Sequence, residues 1–293
     1  MQLAIAGDLH GQWDSSDHAL LAQLAPDALL VVGDLSDGQP RIPALLRQLA
    51  ELQQLPVACI LGNHDSGKDP SGRTMTRQLE ALGALHCGWA LRELHPPGLA
   101  VVGARPGTAG GGFHLSKGCQ AAFGPVTLEQ SSARIVTAAL AADPALPLVM
   151  LAHSGPSGLG SDPGDICGRD WKPPACDWGD QDLAVAIDRI RRQRPVPLVV
   201  FGHMHHRLKR GAGERRTFAI DRAGTAYLNA ACVPRHLEDE AGVALRHLSW
   251  VELDATGLRS AAHRWYGLEG RLRYEERLYL RTESAALAVG APC

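Results

Sequence analysis

Short apolar segments without polar interruption recur through the first two thirds of the chain, and they constrain its fold more than any other feature. Uninterrupted runs of this kind are typical of strands that are covered on both faces of a sheet. We predict strands at residues 3–6, 29–32, 57–61, 99–102, 148–151 and 198–201. Amphipathic helices are predicted at residues 16–24, 42–52, 74–82, 128–142 and 182–192. This alternation predicts an α/β layered fold.

The last quarter of the chain has a different pattern. Strand-like segments at residues 217–220, 225–228, 247–253 and 258–265 are joined by turns that contain glycine, which indicates a second and more antiparallel sheet. We predict one domain over residues 1–283, followed by a loose tail of mostly small and apolar residues at 284–293. Two connections, residues 105–125 and 154–179, are long and rich in glycine and proline, so we expect them to form walls of a site.

Charge and composition exclude several classes of protein. The 293 residues carry a formal net charge of −2, which argues against a protein that coats nucleic acid by bulk charge. No stretch approaches the roughly 18 consecutive apolar residues of a membrane helix, and the first apolar segment is short and lacks preceding basic residues. The seven cysteines form no C-x-x-C pair. We therefore expect a protein of the reducing cytoplasm, with a bridge between Cys167 and Cys176 as the open alternative.

Polar side chains follow five of the predicted strands directly. In chain order they are Asp8 and His10, then Asp34, then Asn63 with His64 and Asp65, then His153, and finally His203 with His205. Because the carboxyl ends of strands in an α/β sheet open onto one edge, we expect these side chains to meet at one site. A carboxylate beside an apolar strand costs desolvation free energy unless a positive charge neutralises it.

The types of donor favour a metal centre. Carboxylate, imidazole and amide donors without a thiolate suit divalent manganese, iron or zinc. In Asp8-x-His10 and His203-x-His205, alternate residues of an extended segment point the same way, so each pair can reach one cavity. Seven donors exceed the needs of one tetrahedral ion and suit two ions. A pair of ions roughly 3.5–4 Å apart stabilises both the attacking and the leaving oxygen of a phosphoryl displacement.

In combination, the five motifs resemble those of the calcineurin-like metallophosphoesterases. In order they are Asp8-x-His10, Gly33-Asp34, Gly62-Asn63-His64-Asp65, His153 and Gly202-His203-x-His205, over about two thirds of the chain. The resemblance implies a four-layered α/β/β/α sandwich, with two central mixed sheets flanked by helices and a dinuclear metal site at the carboxyl ends of the strands. It assigns one ion to Asp8, His10, Asp34 and His205, and the other to Asp34, Asn63, His153 and His203, with Asp34 bridging. The two long connections also resemble those of a cyanobacterial and plastid branch of the family.

The same resemblance implies a phosphoesterase with two divalent or mixed-valence ions. A hydroxide that bridges the ions would attack phosphorus, and His64 would stabilise the developing charge or protonate the leaving alkoxide. Asp65 would support His64 or its loop. We expect a small phosphorylated substrate, with a phosphomonoester as the first hypothesis, and neither a membrane nor a nucleic acid as partner. A cyclic-nucleotide or other small phosphodiesterase is the alternative, and a non-catalytic metal-binding scaffold is the alternative from another class. The oligomeric state is left open.

Several of these residues also have ordinary structural explanations. Asp8 and Asp34 precede helical segments and could cap them, although a cap needs neither the preceding glycine nor a histidine two residues later. His153 by itself would be a hydrogen-bonding loop residue at the end of a strand. His206 directly follows the last motif and could face either the site or solvent.

Basic and aromatic residues near the motifs leave further alternatives open. For the five basic residues after the last motif we favour a solvated hairpin over a surface that holds substrate; they are Arg207, Lys209, Arg210, Arg215 and Arg216. Arg105 and Arg169, one in each long connection, could each hold a non-bridging phosphate oxygen. Trp171 and Trp178 could stack on a base or pack their connection onto the body of the protein.

Overall fold

The computed structural model describes residues 1–282, so the tail predicted at 284–293 lies outside the described residues and the domain boundary stays a prediction. The strands are β1 (Gln2–Ala6), β2 (Ala28–Val31), β3 (Val57–Cys59), β4 (Leu91–Leu94), β5 (Leu99–Gly103), β6 (Leu148–Leu151), β7 (Leu198–Phe201), β8 (Phe218–Ile220), β9 (Ala226–Asn229), β10 (His236–Glu238), β11 (Ala244–Asp254), β12 (Gly257–Gly267) and β13 (Leu272–Leu280). The helices are α1 (Ser15–Leu24), α2 (Arg41–Gln53), α3 (Arg73–Leu82), α4 (Lys117–Phe123), α5 (Leu128–Ala141) and α6 (Gln181–Arg191).

The strands form two mixed sheets. The first has the order β13-β12-β11-β1-β2-β3, with β10 paired to β11; β1, β2 and β3 are parallel and β11 is antiparallel to β1. The second has the order β4-β5-β6-β7-β9-β8, in which β5, β6, β7 and β9 are parallel and the two edge strands are antiparallel. All the strands that precede the predicted site motifs are thus parallel strands with neighbouring carboxyl ends.

Side-chain alternation along the central strands explains why their sequences are apolar throughout. In β1, Leu3 and Ile5 belong to the core that joins the two sheets, whereas Ala4 and Ala6 belong to the core beneath α1, α2 and α3. The far face of the second sheet is covered by α5 and α6, whose buried residues include Ile135. Helices therefore cover both outer faces, which confirms the predicted four-layered α/β/β/α sandwich.

The strands of the last quarter do not form a sheet of their own, and that prediction was wrong. Strands β8 and β9 extend the second sheet, where β9 runs parallel to β7. Strands β10 to β13 extend the first sheet through β11, which pairs with β1 so that Gln2 lies opposite Glu252. The inner strands β1 and β7 would otherwise expose unpaired backbone groups on one side, and these later strands satisfy them.

Helix capping does not account for the two aspartates that were considered as caps. Asp14 caps α1 by accepting a hydrogen bond from the Ser16 amide, and Asp17 completes the capping box. Pro40 stands at the cap position of α2 and makes no side-chain cap. Asp8 and Asp34 both lie several residues upstream of these positions, so their carboxylates are left for another role.

The two long connections pack against each other. The first contains the short helix α4, which the sequence did not predict. The indole of Trp178 donates to the Ala109 carbonyl over 2.8 Å, and the Gly111 amide donates to the Trp178 carbonyl over 2.6 Å. Beneath them the buried guanidinium of Arg105 pairs with Asp180 at 2.6 Å and with Asp182 at 3.1 Å. The two connections therefore form one continuous wall at the edge of the sheets.

Two further features bear on the sequence-based expectations. No helix within residues 1–282 is long and apolar enough to cross a bilayer. Cys167 and Cys176 are both free thiols, so the alternative of a bridge between them is not realised.

We expect Arg105→Ala to lower the free energy of unfolding by about 3 kcal/mol or more, because it leaves two buried carboxylates without their counter-ion. Urea unfolding followed by circular dichroism would measure this change. Arg189→Ala is the matched control, because Arg189 pairs with Glu129 on the exposed surface, where such a pair contributes at most about 1 kcal/mol. Equal losses in the two variants would contradict this role of the buried ion pair.

Candidate metal centre

The predicted site residues lie where the carboxyl ends of the two sheets meet. The first sheet brings Asp8, His10, Asp34, Asn63 and His64 from the ends of β1, β2 and β3, and the second brings His153, His203 and His205 from the ends of β6 and β7. The structure thus brings together every residue that the sequence placed in the site.

The backbone is strained at this place. Asp8, His10, Asp34, Asp37 and His203 all have positive φ, between 38° and 65°. Residues other than glycine rarely adopt this left-handed conformation, and it is concentrated at functional sites where the surrounding structure enforces it. The strand ends therefore turn sharply in order to direct these side chains into a common space.

One group of donors consists of Asp8, His10 and His205, with ligating atoms all within 4.8 Å of one another. The His205 Nε2 atom lies 3.3 Å from Asp8 Oδ2 and 3.4 Å from His10 Nε2. The Asp8 carboxylate also accepts the His203 amide at 3.0 Å, which fixes its orientation. These three side chains form half of the site.

A second group consists of Asp34, His153 and His203, again with ligating atoms within 4.8 Å of one another. The His153 Nε2 atom lies 3.5 Å from Asp34 Oδ1 and 3.0 Å from Asn63 Oδ1, so the amide of Asn63 joins this group. The other oxygen of Asp34, Oδ2, lies 3.8 Å from His10 Nε2 in the first group. Asp34 therefore stands between the two groups, with one oxygen turned toward each.

The two carboxylates oppose each other electrostatically. Burial and the neighbouring charge of Asp8 raise the pKa of Asp34 to about 8. Burial acts on Asp8 in the same direction, but its hydrogen bond to His205, the charge of that imidazole and the hydrogen bond from the His203 amide outweigh it, so the pKa of Asp8 lies well below its usual range. Two buried carboxylates in one cavity are compatible with full ionisation only if positive charge lies between them.

The hydrogen-bonding pattern fits cations at both groups. His153 Nδ1 lies 2.8 Å from the Val32 carbonyl and must donate to it, so that Nε2 carries a lone pair and faces the oxygens of Asn63 and Asp34. The buried Nε2 atom of His203 has no hydrogen-bond partner among the described residues. Lone pairs that converge in a buried space, with a backbone carbonyl fixing the histidine tautomer, are the usual arrangement around a bound metal.

Glycines let the strand ends approach the carboxylates closely. A Cβ atom on Gly202 would lie 2.1 Å from Asp8 Oδ1, and one on Gly62 would lie 2.2 Å from Asp34 Oδ1. Any other residue at these positions would push the carboxylate away. This close approach explains why glycine precedes Asn63 and His203 in the sequence motifs.

His64 lies beside the donors, and its partner is Asp37 rather than Asp65. His64 Nδ1 is 3.3 Å from Asp37 Oδ1, and the same oxygen is 3.4 Å from His10 Nδ1. Burial and the nearby His10 lower the pKa of His64 from its ordinary value, while Asp37 acts in the opposite direction. The two imidazole rings meet edge to face with centroids 5.2 Å apart. Asp37 therefore holds both rings in place.

Asp65 instead supports the loops. One oxygen of its buried carboxylate accepts the Leu35 amide and the other accepts the Gly62 amide, each over 2.8 Å. These two contacts tie the loop after β2 to the loop after β3. Asp65 was expected to support either His64 or its loop, and the structure shows the contacts with the loop.

A pocket of about 210 Å³ opens beside the donors. Asp34, His64, His203 and His205 form its floor, and Trp171 from the second long connection stands over it, edge to face with His203 at a centroid distance of 6.4 Å. Trp171 also meets Trp178 edge to face at 5.3 Å. Both indoles therefore pack the wall, and Trp171 faces the pocket as well.

The basic residues considered for phosphate binding have different positions. Arg105 is only 1% exposed and is fully engaged with Asp180, Asp182 and two backbone carbonyls, so it does not reach the pocket. Arg169 lies over the Trp178 ring at 4.8 Å and donates to the Pro174 carbonyl, which makes it part of the wall.

The hairpin after the last motif is only partly the solvated surface that the sequence favoured. Arg207 and Lys209 line the pocket with exposed side chains. Arg215 is buried, and its Nε donates 2.8 Å to the His205 carbonyl while its Nη2 lies 3.1 Å from Asp170 Oδ1. Arg215 therefore joins a strand-end loop of the site to the second long connection.

His206 faces neither the site nor solvent. Its Nε2 lies 3.0 Å from the Asn229 carbonyl oxygen, and its ring packs on His263 with centroids 4.6 Å apart. His247 completes this buried group, at 5.3 Å from His263. Burial lowers the pKa of His206 to about 4, so the ring is neutral and structural at pH 7.

Two residues near the site were not found from the sequence. No sequence motif marks Asp37 as a site residue, because it is an isolated carboxylate in an exposed turn. Asp170 lies in a proline-rich connection, and its pairing with Arg215 joins positions 45 residues apart. Only the folded chain brings either residue to the donors or to the pocket.

Comparisons with known proteins agree with this geometry. The family description of calcineurin-like phosphoesterases matches residues 1–207, which include all the predicted ligands. A protein of Thermus thermophilus superposes with a TM-score of 0.54 at 13% identity, over 91% of this chain and 98% of that one. A dimetal phosphatase from Danio rerio superposes with a TM-score of 0.50 at 12% identity, over 96% and 99% of the two chains. These structures show a shared fold. No curated protein matches the sequence.

We expect Gly202→Ala to weaken binding of divalent metal by about tenfold or more, because the added methyl group would displace the Asp8 carboxylate. Titration of the metal-free protein with manganese, followed by calorimetry, would measure this affinity. Gly164→Ala is the matched control, since a Cβ atom at Gly164 meets nothing within 4 Å. Unchanged affinity in Gly202→Ala would show that Asp8 does not contribute as described.

Proposed function

Because the chain belongs to the calcineurin-like phosphoesterase family, and is therefore a metal-dependent hydrolase of phosphoester bonds, we propose that its substrate is a small phosphomonoester. The observation that carries this choice is the charge around the pocket. Beyond the donors, its rim presents Arg207 and Lys209, and the pocket has a volume of about 210 Å³. A phosphomonoester carries nearly two negative charges at pH 7 and a phosphodiester only one, so a cationic rim favours the monoester.

We infer that the seven converging donors hold two cations. Asp8, His10 and His205 would hold one, and His153, Asn63 and His203 the other, with one oxygen of Asp34 turned toward each. Bound ions of this kind supply Lewis-acid chemistry, which makes water acidic and offsets charge on phosphoryl oxygens. The mixture of imidazole and oxygen donors suits manganese, iron or zinc.

The protein's own groups would orient the substrate and supply a proton. His64 borders the pocket and lies outside both donor groups, so its imidazole is placed to bond to a phosphoryl oxygen or to the oxygen of the leaving group. Asp37 holds the other ring nitrogen of His64 at 3.3 Å and so sets the orientation of the ring. Trp171 lines the pocket beside His203 and offers an apolar surface to the substrate.

A location in the cytoplasm also belongs to this proposal. The cysteines of the described chain are free thiols, and free thiols are typical of a reducing compartment.

The proposal is tested by comparing hydrolysis of p-nitrophenyl phosphate and bis(p-nitrophenyl) phosphate by the manganese-loaded protein. We expect kcat/KM for the monoester to exceed that for the diester by about tenfold or more, because of its additional charge. A preference for the diester would contradict the proposal and favour the phosphodiesterase alternative.

We expect His64→Ala to lower kcat for the monoester by roughly 10²–10⁴-fold and to leave bound metal unchanged, because His64 belongs to neither donor group. Steady-state kinetics and metal analysis of the same preparation would measure both. His114→Ala is the control, since His114 is an exposed histidine of the first long connection. Full activity of His64→Ala would rule out the role given to this residue.

A further inference from the structure

Two cations on the rim of the pocket have no ion-pair partner in the described part of the chain. Arg207 and Lys209 are exposed, both line the pocket, and neither forms an ion pair within residues 1–282. Glu214 lies opposite Arg207 across the hairpin backbone, yet no ion pair joins the two side chains. The donors of the candidate metal centre do not need these cations, so they are available to a ligand.

The hairpin that carries these two residues is held firmly against the site. Buried Arg215 donates to the carbonyls of His205, Asp165 and Gly168 over 2.8–2.9 Å. It also pairs with Asp170, and Asp170 in turn accepts the backbone amide of Lys209. Rigid elements position binding groups more accurately than free loops do, because less conformational entropy is lost on binding.

The same contacts leave the rim with a net positive charge. Asp170 is the carboxylate of the second long connection that lines the pocket, and the guanidinium of Arg215 pairs with it at 3.1 Å. Arg207 and Lys209 therefore contribute two positive charges that no ion pair within residues 1–282 engages. His205 lines the same pocket as Arg207 and Lys209. The positive rim thus begins at the edge of the donor set.

Resting on the proposed phosphomonoesterase function, we propose that the leaving group of the substrate carries a second phosphate, which Arg207 and Lys209 bind. An arginine and a lysine side by side match the two charges and the several acceptor oxygens of a phosphate. Trp171, which lines the same pocket, would pack against the carbon skeleton between the two phosphates. The substrate class is a small organic bisphosphate.

The reaction leaves the second phosphate intact. Water forms a bond to the phosphorus at the donor site while the bond from that phosphorus to the ester oxygen breaks. The ester oxygen leaves with one proton, so that inorganic phosphate and an alcohol are produced. The alcohol keeps the phosphate that is bound at the rim, and this phosphate contributes to binding without taking part in the chemistry.

The test compares wild type with the double variant Arg207→Gln/Lys209→Gln on two matched pairs of substrates. One pair is glucose 1,6-bisphosphate and glucose 1-phosphate, and the other is adenosine 3′,5′-bisphosphate and adenosine 5′-monophosphate. For wild type we expect kcat/KM to favour the bisphosphate by about tenfold or more in at least one pair. A preference in the sugar pair would indicate that Trp171 packs against a sugar skeleton, and a preference in the nucleotide pair that it packs against a nucleoside.

In the double variant we expect KM for the preferred bisphosphate to rise about tenfold more than KM for its monophosphate, because the monophosphate loses only the general attraction of the rim. Arg210→Gln is the matched control, because Arg210 is an exposed cation of the same hairpin that does not line the pocket; we expect it to behave as wild type. Equal KM increases for both members of a pair, or loss of the preference in Arg210→Gln, would overturn the proposal in favour of general electrostatic attraction.

The outcome also separates this proposal from the proposed function. Hydrolysis of monophosphates and bisphosphates with equal kcat/KM by wild type would overturn the second-phosphate subsite and leave the phosphomonoesterase intact. Failure to hydrolyse any phosphomonoester, including p-nitrophenyl phosphate, would overturn the proposed function itself.

Discussion

The repulsion between two buried carboxylates, Asp8 and Asp34, is the constraint on which the rest of the site depends. Each lies at the end of a central parallel strand and is almost completely removed from water. Burial of one such charge is costly, and burial of two together is more so unless cations accompany them. His153 and His203 present ring nitrogens without a proton donor role to this space, so these two side chains supply no compensating charge. This arrangement of donors is suited to the binding of metal ions.

Three kinds of support keep this unfavourable arrangement in place. Glycines at the strand ends leave room for the carboxylates, and the strained backbone at Asp8 and Asp34 directs them inward. Asp65 ties two ligand loops together through their backbone amides. Arg215 connects the carbonyl of His205 to the wall of the pocket, so that the donor set and the surface above it are parts of one hydrogen-bonded unit.

The layered fold and the donor set could be predicted from the sequence because both depend on local patterns. Continuous apolar runs reveal strands that are covered on both faces, and a polar motif at the end of each run reveals the site. The partners that give other residues their roles could not be predicted, since they lie far away in the chain. From the sequence, Arg105 is a candidate phosphate ligand, but in the fold its guanidinium pairs with Asp180 and Asp182. The role of Asp37 depends on its contacts with His10 and His64, which follow other strands. The sequence also did not reveal which sheet the last strands join, because the pairing of β11 with β1 connects segments that are far apart in the chain, such as Gln2 and Glu252.

The most direct measurement of the central claim is the metal content of wild type and Asp34→Asn after reconstitution, by inductively coupled plasma mass spectrometry. We expect about two ions per chain in wild type. In Asp34→Asn we expect a loss at both positions, since the oxygens of Asp34 face both donor groups. Asp162→Asn, an exposed carboxylate away from the site, should keep the wild-type content. Two ions retained by Asp34→Asn, or no more than one bound by wild type, would contradict a shared carboxylate at the centre of this site.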